Sequence, residues 1–431
     1  MGRTAGTSVL ETTAGPTDTL AGYPDGLAWV SVIPDMPFDD EPTVDCPACH
    51  STVPGATFCG DCGANLTAPV SKWRTLLRPR VFSNAHRETV WLPRVTSTLF
   101  PRIAGPTRKP YRLGLIAILI AICVLSVMQL NGPLGVISVV GWPLMFLIYV
   151  WESDVFTDIP ARILITSMLL GIGLGTGAWL TAGKLIASSY GLSTGSSLLL
   201  LGKELHVGFL ISIGGGFLMV VPALATRLFP MPVRESLDGF VVGAFGALWH
   251  SVAATSTILA PQFAEGLMEQ QSTGLLFEDS ITYGIVSAVV TTTLGGVVGL
   301  ALWFQPDRRD GRDPRRARRA LTVCAALAAG CYVAVWWIDS WNAARTVELV
   351  LEVGFAVLAL IVVRCAVQIA LLHESPDPAT GDPILCVHCE RVVPDLPFCV
   401  ACGAAGRASS QSSRRRRRTS PPVLLGHLTA S

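Results

Sequence analysis

Eight of the twelve cysteines fall into two groups of identical spacing. Cys46-Pro47-Ala48-Cys49 and Cys59-Gly60-Asp61-Cys62 make the first. Cys386-Val387-His388-Cys389 and Cys399-Val400-Ala401-Cys402 make the second, and nine residues separate the pairs in each. Two CxxC turns can place four thiolates at the corners of a tetrahedron, about 2.3 Å from a central metal, a donor set that suits zinc ahead of iron. The groups agree at nine of nineteen aligned positions, including Val53/Val393, Pro54/Pro394, Phe58/Phe398 and Ala64/Ala404, so they are an internal repeat. Gly63 and Gly403 allow the backbone amides to turn toward sulfur without a Cβ clash. Phe58 and Phe398 are expected to form a small core under each knuckle. About twenty residues bury too little surface to fold unaided, so two zinc ions, one per module, would supply folding free energy. His50 and His388 are further nitrogen donors, but four thiolates already close each site. Closed sites are structural, which points to partner binding rather than turnover.

The elements around these modules are set by composition. Half of the 431 residues are hydrophobic and 15% are charged, against about 25% charged in soluble chains. That excludes a purely soluble enzyme. The apolar residues concentrate in eight stretches, at about 113–130, 133–151, 161–182, 205–229, 237–260, 281–304, 320–341 and 347–372, each long enough to span a bilayer. Only Asn131-Gly132 separates the first two, which implies a tight helical hairpin. The fold class is therefore an α-helical polytopic membrane protein with about eight transmembrane helices between two small four-cysteine modules. Residues 1–45 read as disordered, 46–66 as the first module and 67–112 as a basic linker. Residues 113–372 form the membrane domain, 386–404 the second module and 405–431 a disordered Arg-rich tail. No apolar stretch follows a basic start, so no secretory signal is expected.

Lys and Arg counts set the orientation. Ten lie between Lys72 and Arg112 and seven between Arg308 and Arg319, while the alternate loops are poor in both. Eight spans in a cell membrane, with both termini cytoplasmic, satisfy that asymmetry. A reducing cytoplasm also disfavours disulfides in the modules. The remaining Cys123, Cys324, Cys331 and Cys365 lie in apolar spans and are expected to be buried. Glycine pairs in the third span (Gly171, Gly173, Gly175, Gly177), the fifth (Gly239, Gly243) and the sixth (Gly295, Gly299) allow close helix approach, as in a homo-oligomer face. The run Arg414, Arg415, Arg416, Arg417, Arg418 is expected to contact anionic membrane lipid. Nucleic acid ranks below lipid, because no aromatic side chains interleave the tail.

Ionisable residues within a bilayer are costly and hence candidate sites. His250, Glu348 and Glu352 qualify, with Asp339 and Arg364 near span ends. The simplest expectations are a histidine satisfied by a hydroxyl in Thr291–Thr293, a Glu348–Arg345 pair, and an Arg364 side chain reaching toward headgroups. Glu265, Glu269, Glu278 and Asp279 read as a solvated outer face.

Two resemblances add to this reading. The modules, with their CPxC…FCxxCGA pattern in the first, resemble the short zinc-ribbon domains of bacterial membrane proteins. Trp151-Glu152-Ser153-Asp154-Val155-Phe156-Thr157-Asp158-Ile159-Pro160 and Ser236-Leu237-Asp238-Gly239-Phe240-Val241-Val242-Gly243-Ala244-Phe245-Gly246 resemble segments of the PrsW-type intramembrane protease family. The family's EExxK has no counterpart in Gly214–Val220, its FxxxE would fall near Ala253, and its HxxxD has none in the sixth span. The resemblance therefore implies a catalytically silent relative, with no catalytic residue assigned. The leading expectation is a non-enzymatic membrane scaffold or regulator that binds a protein partner through its ribbons. The alternatives are a protease with an unorthodox site at His250, Glu348 or Glu352, and a proton-coupled transporter using the same acids.

Overall fold

The computed structural model describes residues 43–67, 76–85, 88–103, 108–153, 155–190, 197–230, 233–264, 272–307, 313–338, 344–377 and 383–419; the side chains of 183–190, 197–208 and 261–264 are not described. Residues 1–42, Asp339, Glu265, Glu269, Arg308–Asp310 and 420–431 lie outside these ranges.

Among the described residues, eight helices are long and apolar enough to cross a membrane. They alternate in direction between one end that carries both cysteine modules and a far end. In chain order the long helices are α2 (Arg108–Val127), α3 (Asn131–Glu152), α5 (Ala161–Tyr190), α6 (Ser197–Thr226), α7 (Ser236–Ala264), α9 (Ser287–Trp303), α10 (Pro314–Ile338) and α11 (Arg345–His373). Short helices α1 (Val95–Leu99) and α4 (Val155–Asp158) lie at the module end, and α8 (Thr273–Ile281) leads into α9 through a π turn, Thr282–Val286. The strands are β1 (Thr43–Asp45), β2 (Thr52–Pro54), β3 (Pro383–Leu385) and β4 (Val392–Pro394), and α12 (Gln411–Thr419) closes the described chain.

Packing divides the helices into centre and rim. In α7, 83% of the most apolar window is buried against the rest of the chain; in α2 the share is 17%. Leu113, Ile116, Leu169, Phe217, Val323 and Val350 point outward and are exposed, as lipid-facing side chains must be. Glycine explains how the centre closes. Gly239 and Gly243 of α7 lie directly on the backbone of Gly295 and Gly299 in α9, where an added Cβ would overlap the facing carbonyl oxygens. Gly171 and Gly175 of α5 lie on Gly246 and His250 of α7 in the same way. The glycine faces that suggest contact between copies are thus used within one chain, whereas Gly173 and Gly177 meet nothing within 4 Å.

Helix α5 runs on to Tyr190 and α6 begins at Ser197, beyond the apolar stretches, and three other starts differ from hydropathy for visible reasons. Asn131, Gly132 and Pro133 begin α3 instead of forming the hairpin turn, since proline is tolerated in a first turn; the turn is made by Gln129, whose φ is 54°. The sixth span starts at Thr273 because α8 continues through the π turn, where the Thr282 hydroxyl donates to Glu352 Oε2 at 2.6 Å. The seventh begins at Pro314. The Asp313 carboxylate accepts the N–H groups of Arg315 at 2.9 Å and Arg316 at 3.3 Å, an N-cap that carries the arginines onto the helix.

Part of the segment expected to be a linker is packed. Phe82, Ala85, Val90, Leu99, Phe100 and Ile103 belong to the main core, and Phe100 lies among Tyr111, Trp142, Phe146 and Tyr149 with ring centroids 5.2–6.1 Å apart. Three of its charged side chains, Glu88, Arg102 and Arg108, are buried. Arg364 of α11 is fully buried beneath it rather than reaching toward headgroups. The Arg364 guanidinium donates to Glu88 (3.1 Å), Ser97 (3.0 Å), Thr98 (3.1 Å) and the Thr89 carbonyl (2.8 Å), and lies 3.9 Å from the Phe82 ring centroid. One turn on, Gln368 accepts from Ser83 N–H at 2.8 Å and donates to the Val81 carbonyl at 3.0 Å. The positive charge that reads as a tether in sequence is matched by Glu88 in space.

Arg364→Met is expected to destabilise the folded protein by about 3–5 kcal/mol, because Glu88 loses a buried cation. A lowered melting temperature of the detergent-solubilised protein is the expected result, and Arg364→Lys should recover only part of it. An unchanged melting temperature would remove the ion pair from the account of what holds this segment down.

Candidate metal centres

Each module is a β-hairpin whose connecting turn carries the first cysteine pair, followed by a second cysteine turn. In β1–β2, Thr43 pairs with Pro54 and Asp45 with Thr52; in β3–β4, Pro383 pairs with Pro394 and Leu385 with Val392. These partners differ by a constant offset (383 − 43 = 340 and 394 − 54 = 340). The same offset relates the bridges Phe58–Asn65 and Phe398–Ala405. It also relates the left-handed turns at His50 (φ 59°) and Glu390 (φ 57°), and at Gly63 (φ 70°) and Gly403 (φ 73°). The sequence repeat is thus a repeat of backbone conformation.

The sulfurs of Cys46, Cys49, Cys59 and Cys62 all lie within 4.8 Å of one another, as do those of Cys386, Cys389, Cys399 and Cys402. Cys46–Cys62 and Cys49–Cys59 are 3.7 Å apart, and Cys386–Cys402 and Cys389–Cys399 are 3.8 Å apart. A tetrahedron with metal–sulfur bonds of about 2.3 Å has edges of about 3.8 Å. The residues fit zinc, and neither His50 nor His388 belongs to a cluster. In the first module the N–H groups of Ala48 and Cys49 bond Cys46 Sγ, and that of Ala64 bonds Cys62 Sγ. These bonds favour the thiolate that a metal requires.

The two modules pack on each other through a reciprocal pair of bonds. Phe58 N–H donates to the Val400 carbonyl at 3.0 Å, and Phe398 N–H to the Gly60 carbonyl at 2.9 Å. These are equivalent positions, so the modules are related by an approximate two-fold axis. The Phe58 ring lies on Gly403 and the Phe398 ring on Gly63, where added Cβ atoms would come within 2.8 and 2.6 Å. The phenylalanines therefore cross to the other module instead of lying under their own knuckles. Val53 with Ala64, and Val393 with Ala404, fill the local cores beside the cysteines.

A buried ionic seam joins this pair to the helices. Arg102 is paired with Asp238 (2.6 Å), Glu235 (3.1 Å) and Asp158 (3.6 Å). Asp158 also accepts the N–H groups of Gln411 and Ser412 at 2.8 and 2.9 Å, capping α12. Arg414 pairs with Glu235 and with Asp377 at 2.7 Å. Arg407 pairs with Asp377 at 3.0 Å and Glu374 at 3.3 Å, while Glu374 accepts from Ser236 N–H and Oγ at 2.8 and 2.7 Å. Burial pushes the Glu374 carboxyl up to about 7, against the pull of Arg407 and Ser236. Burial also acts on Asp377, but Arg414 and Arg407 outweigh it and hold that carboxyl below its usual range.

The arginine run consequently has a different place from the one its composition implies. Gln411–Thr419 is helical, and the disorder expected of 405–431 does not extend to 405–419. Arg414 is buried in the seam. Arg417 donates to the Leu385 carbonyl at 2.9 Å and Arg418 pairs with Asp395 at 2.8 Å. Arg415 and Arg416 remain exposed. The run forms a helix because acids from three distant segments neutralise it, a feature that no local pattern announces.

Of the intramembrane candidates, Glu348 and Glu352 lie buried one turn apart on α11, and His250 lies on α7. Glu348 is 3.7 Å from Arg345 on the same helix, and Glu352 accepts from Thr282. Both ring nitrogens of His250 are buried without a hydrogen-bond partner. The expected hydroxyl bond is not made: Thr291 and Thr292 donate to the Ala288 carbonyl at 3.2 and 2.6 Å, and Thr293 Oγ1 is buried without a partner.

Fold and site define an eight-helix membrane-spanning protein with two four-cysteine centres able to hold zinc. No family model, curated protein or solved structure matches the chain.

Two zinc equivalents are expected per purified chain by elemental analysis, and one after Cys59→Ser. Phe58→Ala/Phe398→Ala should keep both metals yet speed hydrogen exchange at the amides of residues 58 and 398 by tenfold or more, roughly one hydrogen bond's worth of opening free energy. Unchanged exchange would mean that the rings do not hold the modules together.

Proposed function

We propose that the chain is a non-enzymatic membrane scaffold or regulator whose paired zinc ribbons form a docking head for a protein partner on the cytoplasmic face. The observation that carries this reading is the ribbon pair itself, fixed to the helices by the Arg102–Glu235–Arg414 seam. A head held in that way presents one composite surface rather than two mobile fingers, and so binds with less ordering cost. Val44 and Leu385 are exposed on its outer strands and supply apolar contact. Thiolates closed around zinc have no open position for a substrate.

The cytoplasmic placement rests on the lysine and arginine asymmetry. Arg415 and Arg416, which stay exposed beside the helical ends, supply contact with anionic headgroups. The PrsW-type resemblance fits as a catalytically silent relationship. Asp158 and Asp238, two of the acids that carry it, are both engaged by Arg102 at the module end. A carboxylate already occupied by the chain's own guanidinium leaves no room for the water it would have to activate.

The test is crosslinked capture from native membranes with wild type, Cys59→Ser/Cys399→Ser, and Val44→Asp/Leu385→Asp. Mass spectrometry reads both partner identity and peptide termini. Intact partners present with wild type and lost with both variants are expected. A partner set unaffected by either variant would overturn the docking head, and membrane fragments with new termini in all three samples would replace the scaffold with a protease.

A further inference from the structure

We infer that a cavity in the far half of the helical body binds a neutral, hydroxyl-bearing lipid, and that His250 recognises its head. The site is independent of the ribbons and of the docking reading.

The cavity measures about 560 Å³ and lies between α5, α6, α7, the π turn and α10. That volume falls in the range of small-molecule sites, which are mainly apolar with a few placed polar groups. Trp336 anchors an aromatic wall, with ring centroids 6.3 Å from Trp179, 6.1 Å from Tyr283 and 6.3 Å from Tyr332. Gly214 opens the opposite side, where an added Cβ would meet nothing within 4 Å. His250 lines the cavity and is 2% exposed, and neither of its ring nitrogens has a hydrogen-bond partner.

A buried imidazole with both nitrogens unmet calls for an explanation. Helix packing does not force it, because Gly175 already gives α5 its close approach to the His250 backbone. The neutral ring carries one donor and one acceptor. A hydroxyl can serve either nitrogen, accepting from N–H or donating to the bare nitrogen. An anionic head would leave the acceptor nitrogen unmet and would be costly in so apolar a site.

Position selects a lipid over a water-soluble ligand. His250 stands fourteen residues beyond Ser236, about 21 Å along α7 from the module end. Leu210, on the cavity wall, is 67% exposed on the outward face of α6, so the opening is reached from the lipid. Tyr283 owes its place to the π turn, which the Thr282–Glu352 bond secures. Such turns re-aim side chains at the cost of regular helix geometry.

The test uses three photoreactive alkyne probes on the full-length protein in nanodiscs: a long-chain alcohol, a monoacylglycerol, and an alkane of the same length. The two hydroxyl probes are expected to label peptides that contain Trp179 or Tyr332, and the alkane to label them weakly. The stronger of the two identifies the head, a single hydroxyl or a diol. His250→Phe should reduce hydroxyl-probe labelling by roughly fivefold, the factor one hydrogen bond supplies, with the melting temperature as the check on folding. Gly214→Leu fills the cavity from another helix and should reduce labelling by every probe. Equal labelling by alkane and alcohol, or labelling that neither variant alters, would overturn the proposal.

Discussion

Everything at the module end depends on how Glu235 is shared. One carboxylate oxygen takes Arg102 from the segment before the first span, and the other takes Arg414 from the last described helix. Glu235 itself immediately precedes α7, the central helix. Around it six acids (Asp158, Glu235, Asp238, Glu374, Asp377, Asp395) meet four guanidinium groups (Arg102, Arg407, Arg414, Arg418). The count leaves two negative charges in formal excess, 6 − 4 = 2. Two helix N-termini offset that excess, since Glu374 receives the Ser236 amide of α7 and Asp158 the Gln411 and Ser412 amides of α12. Buried ion pairs of this kind add little net stability over apolar packing, but they exact a high cost when one partner is displaced. The seam therefore serves register more than strength: it admits one seating of the ribbons on the helices.

The helical body solves a different problem. Helices in lipid gain nothing from hiding apolar surface from water, so they associate through close backbone packing and polar contacts. Here α7 does both. Its glycines take α9 on one side, its backbone takes the glycines of α5 on another, and Val242 accepts the Ser167 hydroxyl at 3.1 Å. An acidic helix start, Glu235-Ser236-Leu237-Asp238, and the most buried of the eight apolar windows thus belong to the same element. That combination ties the ionic seam to the core of the bundle.

What the sequence revealed follows the range over which its signals act. Ligand spacing is local, so the two thiolate sets could be read within twenty residues each. Hydropathy is also local, and all eight spans were legible, though their ends moved where Asp313, Pro133 and the π turn intervened and where α5 and α6 extend past their apolar stretches. The pairing of the ribbons was not legible, because it joins residues 340 positions apart. Its trace was nevertheless visible: Phe58 and Phe398 repeat at positions where a module this small has no room for a ring beneath it. The packed segment before the first span was hidden by its arginines. Glu88, a lone acid among basic residues and followed by Ser97 and Thr98, was the available sign that one arginine, Arg364, would turn inward to meet it.

Asp158 and Asp238 show how one motif can support two chemistries. An acid before a span and an acid opening a glycine-rich helix are as suitable for a hydrolytic site as for a salt bridge, and sequence does not separate the two. Geometry separates them by what stands opposite. A catalytic carboxylate faces a space where water and a peptide bond can enter. Asp238 faces a fully buried Arg102, and Asp158 faces Arg102 and the start of α12, so both are filled by the chain's own groups. The cavity that does have room lies further along α7, around His250 at the helix midpoint, with no acid among its described lining residues. Room for a ligand and the carboxylates thus belong to different stretches of the same helix, the acids at its start and the cavity from its midpoint onward.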